Sequence, residues 1–225
     1  MIKPHDSYRT FLLMLLAYMV SFPLLEQAGL IGKTVQMMLG LGVLWVGLII
    51  TRVDRKRIVM SGFILAVVFS LWVAEVIRPG GVQISIVREA IFLTVFSRII
   101  FVMGKHVFVS PKVSTGDRLY GAISIYLLMS GFFSNIYMLM VLLNPSAFSC
   151  SVALCGQDVL TAFRNGANMY FSTITITTVG YGDITPTTAL GGMLAAIEAL
   201  IGQMYVAVVV ARLVGLHLLE SGTAK

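Results

Sequence analysis

Apolar residues run along this chain in long stretches, broken by short polar segments and by segments bearing glycine or proline. Stretches of roughly twenty residues with few charges, lacking the polar spacing of a soluble amphipathic helix, are long enough to cross a bilayer as helices. Six such spans are predicted, at about Thr10 to Gln27, Thr34 to Thr51, Ile58 to Ile77, Gln83 to Gly104, Leu119 to Leu143 and Thr187 to His217. Each break carries its own signal: charge in TRVDRKR, a turn in RPGGVQ, and Pro, Ser and Gly in GKHVFVSPKVSTGD, a linker expected along one membrane face. Between the fifth and sixth spans, Asn144 to Asn165 read as a loop and GANMYFSTITIT as a short apolar helix. A helix of about a dozen residues covers less than about 20 Å. It is therefore predicted to be re-entrant.

That short helix runs directly into TTVGYGD, Thr177 to Asp183. Two glycines flanking a tyrosine suit neither a helix nor a strand. Gly180 and Gly182 permit positive φ at alternate positions, which turns successive carbonyls to one side of an extended segment. Non-helical backbone at membrane depth is tolerated only where it is buried in protein or lines a watery cavity. The segment is expected to line a pore.

Composition supports the membrane assignment: 58% of the 225 residues are hydrophobic and 12% charged. The formal charge of +6 does not point to nucleic acid, because the basic residues are spread over short loops. With both termini cytoplasmic, the inner segments carry Lys3, Arg9, Arg52, Arg55, Lys56, Arg57, Lys105, Lys112, Arg118 and Lys225, against Lys33, Arg78 and Arg164 outside. This bias orients the chain. A basic start followed by FLLMLLAYMV also fits a secretory signal. Removing it would place TRVDRKR outside and invert the bias, so an uncleaved helix is preferred.

The order helix, re-entrant helix, TTVGYGDI, helix resembles the pore module of potassium channels, over about Leu119 to His217. The resemblance implies an all-α membrane protein with six transmembrane helices, one re-entrant pore helix and a tetrameric channel pore. It divides the chain into a four-helix domain, residues 1–110, and a pore domain, residues 111–225. The backbone carbonyls of Thr178, Val179, Gly180 and Tyr181, with the Thr178 hydroxyl, would replace the water of permeating K+, and Gly180 and Gly182 would hold the required dihedrals. Val179 and Tyr181 would pack outward against the re-entrant helix, and Asp183 would face the external mouth. One chain carries a single such motif, so a homotetramer with four-fold symmetry is implied.

Other residues follow from the same resemblance. Thr177 ends the re-entrant helix, whose carbonyl end favours a cation. Tyr170 and Phe171 stand where the family carries aromatics that buttress the filter, and Tyr170 is expected to hydrogen-bond Asp183. Some members place there a glutamate that pairs with the aspartate; this chain has Ile174 at that position. Gly202 matches a bend in the pore-lining helix, with close helix packing as the alternative. Glu198 lies deep in that helix and is expected to brace against hydroxyls of Thr173, Thr175 or Thr177, with a proton-sensitive gate as the alternative.

The first four helices match the voltage-gated layout only in number and hydrophobicity. In VREAIFLTVFSRIIFVMGK the basic residues are Arg88, Arg98 and Lys105, without arginines at every third position. Strong voltage gating is not expected. Glu26, Glu75, Arg78, Arg88 and Glu89 fall near the outer helix ends, where they pair or meet headgroup water. Cys150 and Cys155 share the external loop, where a local disulfide, an intersubunit bridge and free thiols all remain open. His5, His106 and His217 are scattered, no metal-ligand spacing or phosphate loop appears, and STITITT has no neighbouring base. No cofactor and no enzyme activity are expected; K+ is the permeating ion.

The chain is thus read as a passive K+ channel of the cell (plasma or inner) membrane, with the bilayer as its surroundings and an unspecified regulatory partner. Its compactness favours a prokaryotic membrane, and LLESGTAK after His217 leaves no room for an appended regulatory domain. The alternatives are a cation transporter subunit, usually built from four degenerate repeats, and a non-conducting regulatory subunit.

Overall fold

The computed structural model describes residues 7–25, 28–50, 55–77, 81–110, 114–151, 155–156 and 158–222. Lys3, His5, Glu26, Arg52, Arg78, Lys112 and Lys225 lie outside the described residues, as do the side chains of Arg55, Lys56, Arg57 and His217. Within them the apolar stretches form long helices: α1 (Ser7–Leu25), α2 (Gly29–Ile50), α3 (Arg55–Ile77), α4 (Val82–Val109) and α5 (Thr115–Leu143). After strand β1 (Phe148–Cys150) come the short helices α6 (Val159–Arg164) and α7 (Ala167–Ile176), strand β2 (Ile184–Pro186) and the long α8 (Ala189–Gly222).

Among the described residues, four helices are long and apolar enough to cross a membrane: Tyr8–Leu25, Gly29–Ile49, Gly116–Leu143 and Ala189–Arg212. In α3 the apolar stretch is shorter, Gly62–Ile77. α4 has the length but carries Arg88, Glu89, Arg98 and Lys105. These two are the remaining members of the six expected spans.

The linker differs from expectation. GKHVFV continues α4 as helix to Val109, and α5 begins after Ser114, whose hydroxyl accepts from the Asp117 amide at 3.2 Å. Arg118 explains the extension: its guanidinium donates to the carbonyls of Val107 and Ser110, both at 2.7 Å. A cation there satisfies carbonyls that a helix end leaves without intrahelical partners.

α4 lies along α5 in the most extensive helix pairing, α1 packs on α2 and α5, and α3 on α4. The buried stripe Ser85, Glu89, Val95, Ile99, Met103 and Val107 recurs mostly every fourth residue, which keeps one face of α4 turned inward. Small residues on α5 allow the approach: a Cβ at Gly131 would sit 2.7 Å from the Phe96 ring. One core joins Phe11, Leu15, Val43, Leu44, Ile99 and Leu128. A second, around Tyr137, Phe148, Phe163 and Phe171, joins α5, β1, α6 and α7.

The loop after α5 is not featureless. β1 pairs antiparallel with β2 in the register Phe148↔Pro186, Ser149↔Thr185 and Cys150↔Ile184. The ladder continues at both ends, through Ser151 N–H to the Asp183 carbonyl (2.8 Å) and Thr187 N–H to the Ala147 carbonyl (2.9 Å). It therefore fixes the segment that follows TVGYGD. Cys150 and Cys155 form the local disulfide among the three alternatives.

Candidate functional site

The site is built from α7 and the residues after it. Asp158 caps α6 by accepting from the amides of Leu160 and Thr161, each at 3.1 Å, and from the Thr161 hydroxyl. The hydrogen bond from the Thr161 side chain, with those from the amides, holds this exposed carboxyl below the usual aspartate range. α6 ends at Asn165, and Gly166 at φ 107° turns the chain into α7. Only glycine fits there, because a Cβ would also lie 2.4 Å from the ring of Phe22 on α1. Asn168 donates to the Ser134 carbonyl at 3.3 Å. Phe171 packs edge-on to Tyr137 and Phe148, with ring centroids 4.9 and 5.3 Å apart. It supports the site through this aromatic core.

At the C-terminal end of α7 the backbone leaves the regular i to i−4 hydrogen-bond pattern. The amides of Thr178, Val179 and Gly180 donate back to carbonyls of α7: Thr178 to Thr175 at 2.9 Å, Val179 and Gly180 to Ile174 at 2.9 and 3.1 Å. Positive φ recurs at every second residue: Thr178 (59°), Gly180 (51°) and Gly182 (79°). Two of these are the predicted glycines. Thr178 is the surprise, since a β-branched residue in this region is strained. Among the described residues, none of the carbonyls of Thr178, Val179, Gly180 or Tyr181 accepts a backbone hydrogen bond. Residues 177–182 are also all exposed. The segment is a strip of exposed acceptors, and the amides of Thr178, Val179 and Gly180 are already engaged by α7.

Side chains around the strip divide into expected and unexpected. Tyr170 donates to Asp183 at 2.6 Å, as anticipated. The other Asp183 oxygen accepts from the Ile184 amide at 3.0 Å. Val179 and Tyr181, expected to pack outward against the re-entrant helix, are 53% and 73% exposed in the single chain. The Tyr126 hydroxyl donates to the Ile176 carbonyl at 2.9 Å, occupying one of the open acceptors at the α7 end. Gln203 on α8 donates to the Thr178 hydroxyl at 3.0 Å.

Gly202 sits against the same place. A Cβ on it would lie 2.3 Å from the Ile176 carbonyl oxygen, within an α8 that is continuous from Ala189 to Gly222. Close packing, the second of its two readings, thus has a direct contact.

The expected partners of Glu198 are corrected. The hydroxyls of Thr173, Thr175 and Thr177 donate to carbonyls four residues back within their own helix, Met169, Phe171 and Thr173. Such back-bonding is the habitual choice of a helical threonine. Glu198 is fully buried instead against Tyr137, which donates at 2.6 Å, and against Ser172, whose Oγ lies 2.5 Å from it.

In the four-helix half, Arg88 pairs with Glu75 and Glu89, and Glu75 also meets Arg164 at 3.4 Å. These side chains are largely buried rather than bathed in headgroup water, with Arg88 and Glu75 both 12% exposed. Arg164 ends α6, so the cluster ties α3 and α4 to the entrance of α7. At the other end of the bundle, Arg212 on α8 donates to the Phe108 carbonyl of α4 and lies 5.6 Å from the centre of its ring. Tyr126, Tyr137, Ser172, Gln203 and Arg212 were not singled out from the sequence. Their signal was available: polar or charged groups inside otherwise apolar helices, which call for partners. Among the described residues no cluster of His, Cys, Asp and Glu is suited to a metal.

Membrane-spanning helices around a short helix and a strip of exposed carbonyls define a multi-pass membrane protein with a channel-type pore module. A family model described as "Ion channel" matches residues 138–216. Protein LctB of Bacillus caldotenax is 35% identical over 98 residues, which cover 44% of this chain and 71% of that protein. No solved structure matches the chain. The chain belongs to the ion channel family, and it is not an enzyme.

Proposed function

We propose that the chain is one subunit of a homotetrameric potassium-selective channel that passes K+ down its gradient. The observation that carries this reading is the strip Thr178 to Tyr181, whose four carbonyls are free of backbone hydrogen bonds while alternate residues take positive φ. A dehydrated cation needs such oxygens in place of its water, and selectivity filters of stacked carbonyls supply them. Thr178, Val179, Gly180 and Tyr181 would coordinate K+. Gly182 would hold the outer turn, and Tyr170, Phe171, Thr177, Asp183 and Glu198 would support the filter. Gly202 would keep α8 close to it.

A single strip encloses nothing, which is why four copies are needed. The exposure of Val179, Tyr181 and the α8 side chains Leu190, Met193, Leu200 and Met204 supports cover by neighbouring subunits. In this reading residues 1–110 form a four-helix unit and residues 111–225 the pore unit. All six long helices cross the cell membrane, with both termini on the cytoplasmic side. The test is ion flux from the purified protein in liposomes. Potassium flux that exceeds sodium flux and is blocked by barium is expected. Equal flux of both ions, or none from a verified tetramer at any pH, would overturn the reading.

A further inference from the structure

Glu198 is completely buried in α8, and its neighbours determine its chemical state. Tyr137 donates to Oε2 at 2.6 Å. Ser172 Oγ lies 2.5 Å from Oε1 and 2.7 Å from the Ser130 carbonyl oxygen. A serine hydroxyl owns one hydrogen, and a backbone carbonyl owns none. If both contacts are hydrogen bonds, the Ser172 hydrogen goes to Ser130, and the hydrogen between Ser172 and Glu198 belongs to Glu198. The side chain is then a carboxylic acid, donating through Oε1 and accepting at Oε2.

The charged surroundings lead to the same state. α5 carries its only charges, Asp117 and Arg118, in its first turn, far along the helix from Tyr137. α7, β1 and β2 contain none. On α8 itself the next cation is Arg212, about 20 Å away at the rise of an α-helix. Among the described residues, the titratable groups that face Glu198 are Tyr137 and Tyr126, both from α5. Tyr170 of α7 is engaged by Asp183. A carboxylate here would be buried in a membrane helix without a cation, which is costly.

We propose that Glu198 is a proton-binding site that controls this pore: its neutral acid clamps α7 between α5 and α8, and loss of the proton releases the clamp. On ionisation the Ser172 hydrogen turns to the carboxylate, and the Ser130 contact is given up. α7 then loses a tie to α5 two residues before Ile174, whose carbonyl accepts from the Val179 and Gly180 amides of TVGYGD. Flux is thus present at low pH and lost as the pH rises through the titration of Glu198. The conduction half rests on the channel reading above; the protonation half does not.

Both halves are tested on the full chain in liposomes. Infrared spectra at neutral pH should contain the carbonyl band of a protonated carboxyl that disappears in Glu198→Gln; identical spectra overturn the proton site. Potassium flux, normalised to each protein's own value at low pH, should fall in the wild type by about tenfold per pH unit beyond the midpoint of a one-proton transition. It should stay level in Glu198→Gln, whose amide can donate to Ser172 and accept from Tyr137. A level wild-type profile, or a variant that follows the wild type, overturns the control. If Glu198→Gln fails to assemble, Tyr137→Phe replaces it. Removing that donor disfavours the anion and moves the midpoint to higher pH, whereas no shift or a shift downward counts against the proposal. Wild-type silence at every pH removes the channel reading and the control with it, while the infrared band still judges the proton site.

Discussion

Helices α5 and α8 are both long and apolar, yet the chain treats them differently. Of their apolar windows, 56% of α5 is buried by the rest of the chain and 17% of α8. α5 is wrapped by α1, α4, α7 and α8, whereas α8 meets its own chain through a narrow face that carries Glu198 and Gly202. Equal hydrophobicity therefore hides two kinds of surroundings. Apolar burial in a bilayer gives no drive toward protein rather than lipid, so helices associate through packing and polar contacts. On α8 the buried side carries Glu198 and Gly202, and the opposite side presents Leu190, Met193, Leu200, Met204 and Val208. That face is where the tetramer reading places the pore and the neighbouring subunits.

Substitutions along the two helices sharpen this contrast. Leu128 on α5 is fully buried. Leu128→Ala should cost about 2–5 kcal/mol, seen as a lowered Tm in detergent. Gly202→Ala attacks the covered face of α8, where the Cβ meets a backbone carbonyl that cannot swing aside. A loss of about 1–3 kcal/mol and a displaced α7 are expected; full stability and unchanged flux would show that α8 tolerates the added atom. Tyr170→Phe removes one hydrogen bond to a carboxylate, about 1.5–3 kcal/mol at most, and should appear mainly as faster decay of flux.

The remaining two effects are smaller. Asp158→Ala should destabilise α6 by about 1 kcal/mol through loss of its cap. Because the folded carboxyl is held below its ordinary range, its contribution is present at neutral pH and fades as the pH falls through that lowered value. Acid sensitivity of proteolysis at the loop, absent from the alanine variant, checks this. Finally, Leu200→Ala on the exposed face of α8 should leave the fold of each subunit intact while lowering the fraction that runs as a tetramer. An unchanged tetramer fraction would assign that face to lipid or pore water instead.

The parts of this molecule that were legible in the sequence are those governed by local chemistry. TVGYGD announces itself because glycines at alternate positions have few other uses, and α7 because its length forbids a crossing. The Tyr170 to Asp183 bond spans thirteen residues and followed from a resemblance specific enough to fix both positions. What escaped depends on distant contacts. β1 has three residues and no pattern of its own; its strand character comes from β2, on the far side of α7. The helical continuation of α4 depends on Arg118 reaching back across the linker. The threonines near Glu198 were plausible partners by proximity, but each had an acceptor one turn back in its own helix. Ser172 was free to reach outward.

The central claim is that the exposed carbonyls of Thr178 to Tyr181 select K+. It is tested most directly by the reversal potential of the purified protein in a planar bilayer, with potassium on one side and sodium on the other. The account predicts a reversal potential displaced far toward the value for potassium. A reversal potential near zero would contradict it.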